Sequence, residues 1–125
     1  VIWDGLANGQ FHIFSSDHAP FRYKSETGKM LKGDTTPFNW IPNGLPGIET
    51  RLPILFSEGV KKGRISLNRF VELVATNPAK MYGLHPRKGT IAVGSDADLV
   101  IFDPNIRRTI RSTKLHHNVD YTPYE

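Results

Sequence analysis

Apolar positions recur along this chain with two different periods. Ile2, Trp3, Leu6 and Ala7 fall at near-helical spacing and run into Asn8-Gly9, a helix-ending pair, so the first residues predict a short helix. Gln10 to Phe14 is an apolar, β-prone run that predicts a buried strand. From Phe21 to Trp40 the periodicity vanishes into a long loop rich in Lys, Ser, Gly, Asp and Thr. Prolines and glycines between Pro42 and Gly47 predict a stiff turn, followed by a helix from near Ile48 through Leu52, Leu55 and Phe56 to a stop at Glu58-Gly59, with Pro53 tolerable only in its first turn. Ser66 is an N-cap for a second helix with Leu67, Phe70, Val71, Leu73 and Val74 on one stripe, and Thr76-Asn77-Pro78 opens a third that Gly83 closes. Past Pro86 the period shortens to two, predicting strands at Thr90 to Val93, Asp98 to Phe102 and Thr109 to Ser112. The break near Arg87 is the single boundary in this pattern, with α/β material before it and all-β material after it.

The most informative stretch is Phe11-His-Ile-Phe-Ser-Ser-Asp17-His-Ala-Pro20, where the strand-like run ends in a carboxylate and an imidazole before a proline stops it. In parallel α/β architectures the strand body is buried and the loop at its C-terminal mouth faces substrate, which makes Asp17 the first functional candidate. An aspartate after a strand can equally cap a turn.

Taken with Pro42-Asn-Gly-Leu-Pro-Gly-Ile-Glu-Thr-Arg51 and Gly89-Thr-Ile-Ala-Val-Gly-Ser-Asp-Ala-Asp-Leu-Val-Ile-Phe-Asp103, the segment resembles the cyclic amidohydrolases of the hydantoinase and dihydropyrimidinase family, and specifically the last part of such an enzyme. The resemblance implies an α/β fold: residues 1–86 as the C-terminal part of a (β/α)8 TIM barrel, comprising its last strand and covering helices, and residues 87–125 as an incomplete β-sandwich. A chain of 125 residues is far short of the roughly 250 of a typical barrel.

The resemblance also implies chemistry. Opening a ring amide needs a strong nucleophile, a polarised carbonyl and a proton donor for the departing nitrogen, and two divalent metals with one carboxylate can supply all three. The family aspartate matching Asp17 coordinates one metal, takes the proton from the bridging hydroxide and delivers it to the leaving nitrogen, so Asp17 is both metal ligand and catalytic residue. Asn43 matches the asparagine that hydrogen-bonds the imide part of a cyclic ureide, chiefly through its main chain. The family site further requires an His-x-His pair, a carboxylated lysine and two more histidines; no His-x-His occurs in this chain. The cofactor expected of the complete site is a pair of divalent ions, zinc foremost with manganese also open, which this chain by itself is not expected to hold.

Other histidines are read as structural. His12 suits a satisfied interlayer position, His85 a loop, and His116-His117 would point to opposite faces of a strand and so chelate poorly. His18 is a supporting neighbour of Asp17, Glu49 and Arg51 are read as helix-start and ion-pair residues, and Asp96 and Asp98 are expected to satisfy turn and strand donors.

Composition narrows the partners. The net charge of +4 gathers at Lys61-Lys62-Gly-Arg64 and between Arg107 and Lys114 without interleaved stacking aromatics, so nucleic acid is not expected. No apolar run reaches the roughly 18 residues of a membrane span. The first residues lack a basic-then-apolar leader, and the absence of cysteine suits a cytoplasmic setting. A partial barrel exposes strand edges, which predicts a homo-oligomer. Two functional classes remain: the C-terminal portion of a metal-dependent cyclic amidase acting on a small cyclic ureide, inactive on its own, or a stand-alone noncatalytic interaction module.

Overall fold

A computed structural model describes all residues 1–125. It divides into two compact units, the first formed by Val1–Ser15 with Leu52–Asn105 and the second by Ser16–Arg51 with Ile106–Glu125.

The first unit is helical. Helix α1 (Ile2–Asn8) ends where Gly9 turns left-handed at φ 93°, as the Asn8-Gly9 pair predicts. Helix α2 (Arg51–Leu55) continues directly into a π-helical turn over Phe56–Val60. Helix α3 (Leu67–Val71), a second π-helical turn (Glu72–Thr76) and helix α4 (Asn77–Met81) form one continuous run. The Ser66 cap is formed as expected, its hydroxyl accepting from the Arg69 N–H at 3.0 Å. The core joins Leu6, Leu55, Phe56, Ile65, Phe70 and Leu73, with Trp3, Phe14, Leu52, Val60 and Val74 packed around it. Leu55 and Leu73 are fully buried, each contributing about 1.5–3 kcal/mol by removal from water. Phe102 closes the cluster, its ring 4.6 Å from that of Phe56.

Two helical expectations are corrected. Glu58-Gly59 is no stop: Gly59 lies inside the π-helical turn, and a Cβ there would meet Ile65 Cδ1 at 2.9 Å. That glycine therefore serves close packing. Nor do the helices before and after Thr76 separate. Pro78 lacks an N–H and would crowd the carbonyl four residues back, and the wide turn at Glu72–Thr76 accommodates this without breaking the run.

The β expectations differ more. Gln10 to Phe14 joins no ladder, and neither do Thr90 to Val93, Asp98 to Phe102 or Thr109 to Ser112. A strand is completed by N–H and C=O groups of its neighbours, and this chain brings no ladder partner to these segments. Helical residues serve the first of them instead. The Phe14 N–H donates to the Leu73 carbonyl at 3.0 Å, Arg69 donates to the carbonyls of Leu6 and Phe11, and Asn77 donates to that of His12. The later apolar residues stay open to solvent: Val93 and Ile101 are wholly exposed, and Ile91 and Val100 largely so. Asp96 and Asp98, expected to bind backbone, instead both pair with Lys88. The chain's one strand, β1 (Leu31–Asp34), is short and exposed, and it lies inside the long loop of the second unit. No helix is long and apolar enough to cross a membrane.

Candidate functional site

Both candidate residues lie in the second unit. Asp17 is exposed, and its backbone takes a left-handed φ of 45°, a conformation to which short polar side chains such as aspartate are suited. The turn at Asp17 sets up the next two residues. His18 forms a parallel bridge with Leu45, and the Ala19 N–H donates to the Leu45 carbonyl at 3.1 Å. The segment after Asp17 thus runs beside the Pro42–Gly47 turn that carries Asn43.

Three contacts fix this pairing. The backbones approach so closely at Gly44 that a Cβ there would sit 2.4 Å from Ala19 Cβ and 2.8 Å from its carbonyl oxygen. Pro46 is fully buried beneath the turn. The imidazole Nδ1 of His18 accepts from two successive main-chain N–H groups, Gly47 at 3.0 Å and Ile48 at 3.3 Å. Asn43 itself is exposed at the tip, and its main chain takes no part in these bonds.

Carboxylates fasten the rest of the unit. Glu49 grips His116 twice, accepting from its backbone N–H at 2.6 Å and meeting its Nδ1 at 3.0 Å. Those bonds, the backbone one foremost, hold the Glu49 carboxyl below its ordinary range. Asp120 accepts from the N–H groups of Lys24 at 2.9 Å and Tyr23 at 2.6 Å, and these bonds likewise hold its carboxyl below the ordinary range. The Tyr121 ring packs tilted against that of Tyr23 with centroids 5.5 Å apart, where burial and the neighbouring Asp120 charge push its phenol up. Lys29 donates from Nζ to the Pro42 carbonyl at 2.6 Å, so the long loop also braces the Asn43 turn.

The donors for a metal are few. No group of three or more His, Asp or Glu side chains is gathered in a metal-holding arrangement, and His18 Nδ1 is occupied by backbone donors. Of the two candidate residues, Asp17 alone brings a carboxylate, and it stands apart from any cluster of further ligands. That does not fit a two-metal centre, which needs several protein ligands per ion.

Glu49 forms an ion-pair contact, as its sequence reading expects, but the roles of His18, His116 and Asp120 were missed. Their partners lie 29 to 97 residues away, so no local pattern announces them.

The sequence profile of the amidohydrolase family matches residues 1–123. The chain belongs to the amidohydrolase family. Members of this family are generally metal-dependent. The D-hydantoinase of Geobacillus stearothermophilus is 54% identical over all 125 residues, and that of Ralstonia pickettii 50% identical over the same length. A dihydropyrimidinase from Brevibacillus agri, known by crystal structure, matches 99% of the chain with a TM-score of 0.91 at 52% identity. The fold of this amidohydrolase segment is therefore that of the corresponding part of hydantoinases. In each case the chain spans only 26% of the relative's length.

Proposed function

We propose that this segment forms the C-terminal portion of a cyclic amidohydrolase that opens the ring of hydantoins or dihydropyrimidines. The observation that carries the reading is the pairing of the Asp17 segment with the Asn43 turn through His18, Ala19 and Leu45, in a chain whose relatives are D-hydantoinases along its whole length. A flat cyclic ureide presents an amide donor and an acceptor carbonyl in one plane. The Asn43 main chain, held rigid between Pro42 and Gly44, presents the complementary pair at little entropic cost.

Ring opening consumes one water: its oxygen bonds the ring carbonyl carbon, the C–N bond breaks, and the departing nitrogen takes a proton. Asp17 is the group that moves this proton, exposed where the chain turns out of the apolar run. It is also one metal ligand. The remaining ligands, and the two divalent ions expected to be zinc, belong to the complete site and not to this chain. When bound, such ions polarise the carbonyl and activate water.

In the complete enzyme residues 1–86 supply the last barrel strand, Gln10 to Phe14, with its covering helices, and residues 87–125 join a β-sandwich. There the ladder bonds come from strands outside this segment. A homo-oligomer in the cytoplasm is the corresponding assembly. A stand-alone interaction module is not favoured, because the relatives are hydrolases along the whole match.

The test is a chimera in which these 125 residues replace the aligned segment of the Geobacillus stearothermophilus D-hydantoinase. The chimera hydrolyses hydantoin. Asp17→Asn lowers turnover by roughly 10²–10⁴-fold, the usual cost of losing a general acid or base, whereas Asn43→Ala keeps its backbone groups and is milder. A chimera that folds and binds metal yet fails to open the ring refutes the reading, as does an active, fully metallated Asp17→Asn variant.

A further inference from the structure

We propose that His18 is a positioning residue for ring binding: its imidazole, acting as an acceptor at Nδ1, holds the Asn43 turn in register with Asp17. The inference rests on the functional reading above and adds a residue to it. It begins from a shortage of backbone donors. Pro42 and Pro46 have no N–H, so two of the six residues between Pro42 and Gly47 cannot anchor the turn through their own amides. The turn is fastened instead by two carbonyls, Leu45 accepting from the Ala19 N–H and Pro42 from the Lys29 ammonium, and by the two N–H groups of Gly47 and Ile48. Both of these amides converge on a single atom, His18 Nδ1.

An imidazole nitrogen accepts only through its lone pair, so Nδ1 carries no proton and the ring is the Nε2–H tautomer. His18 is half-buried and immediately follows Asp17 in the chain. Any rotation of its ring away from Gly47 leaves two turn amides without an acceptor, and the turn then shifts relative to the Asp17 backbone. The side chain reaches neither ring nor metal in this scheme. It acts through the main chain of the turn, and its loss is felt in ring binding before turnover.

Two substitutions separate this role from others. In His18→Asn the side-chain oxygen sits near the position of Nδ1 and remains an acceptor, while His18→Phe keeps a ring of similar bulk and removes the acceptor. In the hydantoinase chimera, His18→Phe raises KM for hydantoin about tenfold, the scale of a lost hydrogen bond, with kcat changed much less. His18→Asn restores KM to near the starting value. On the 125-residue chain itself, nitrogen NMR finds Nδ1 unprotonated, and the Gly47 and Ile48 amides exchange slowly with solvent. His18→Phe abolishes that protection while the α3 amides keep theirs.

An unchanged KM in His18→Phe overturns the proposal. So does a parallel fall of kcat that His18→Asn does not rescue, which would place His18 in the chemistry, and so does unaltered exchange at Gly47 and Ile48. Should the unsubstituted chimera be inactive, the functional reading fails on its own, and the exchange experiment still decides whether His18 holds the turn.

Discussion

Replacing Gly44 by alanine tests the pairing of the two site segments at its tightest point. At φ 106° an L-residue is strained whatever its surroundings, at a cost of about 1–3 kcal/mol. The added Cβ would also lie 2.4 Å from Ala19 Cβ, 2.8 Å from its carbonyl oxygen and 3.4 Å from its Cα. None of these atoms is the free end of a flexible side chain, so relief requires moving one backbone segment away from the other. Overpacking of this kind adds about 1–3 kcal/mol. Together the two effects come to about 2–6 kcal/mol, and the cheapest escape is separation at the Ala19 to Leu45 bond. Since about 1.4 kcal/mol is tenfold in an equilibrium, protection of the Ala19 amide against hydrogen exchange should fall at least about thirtyfold. Gly33 is the control. It too is left-handed, at φ 60°, but nothing lies within 4 Å of its Cβ position, so alanine there meets backbone strain alone. Gly33→Ala should leave Ala19 protection almost unchanged. Equal loss in the two variants, or none in Gly44→Ala, would refute the claim that close approach of the segments organises the site.

Two further expectations concern the periphery of the site and the exposed apolar segment. Asp120 has its carboxyl lowered from an ordinary 3.8 by the Lys24 and Tyr23 amides; a depressed carboxylate stabilises above its unfolded value and loses that contribution as pH falls through the folded value. Protection of the Tyr23 and Lys24 amides, relative to their intrinsic exchange, should therefore be high at neutral pH and fall below about pH 4, and Asp120→Asn should erase that acid dependence; protection that is insensitive to acid would rule the latch out. The open residues Ile91, Val93, Val100 and Ile101 should drive concentration-dependent association of the isolated chain. Light scattering should show it, with Val93→Lys and Ile101→Lys together reducing it; a monomer at every concentration contradicts the inference.

The helices were legible in the sequence because each satisfies its own backbone. Asn8-Gly9 and Ser66 act within a turn or two of where they stand, and the structure uses both. Expected strands were legible only as apolar, β-prone text. Val93 and Ile101 have the composition of buried strand residues and sit fully exposed, since a ladder depends on a neighbour that no local pattern supplies. The same division holds at the site. Asp17 and Asn43 stand out because their flanking residues are distinctive, whereas the work of His18 becomes visible only when Gly47 and Ile48, some 30 residues on, are seen to donate to it.

That contrast bears on how a site of this kind tolerates change. Asp17 and Asn43 are both exposed, and little packing of their own side chains keeps them in place. Their geometry is inherited from backbone bonds one or two residues away: His18 to Gly47 and Ile48, Ala19 to Leu45, and Lys29 to the Pro42 carbonyl. Main-chain partners are indifferent to side-chain identity, so Leu45, exposed to solvent, can vary freely while its carbonyl still receives Ala19. Gly44 and His18 have no such freedom, one because any Cβ collides and the other because its acceptor atom is the contact. Substitutions at those two positions should therefore displace the site without touching either Asp17 or Asn43.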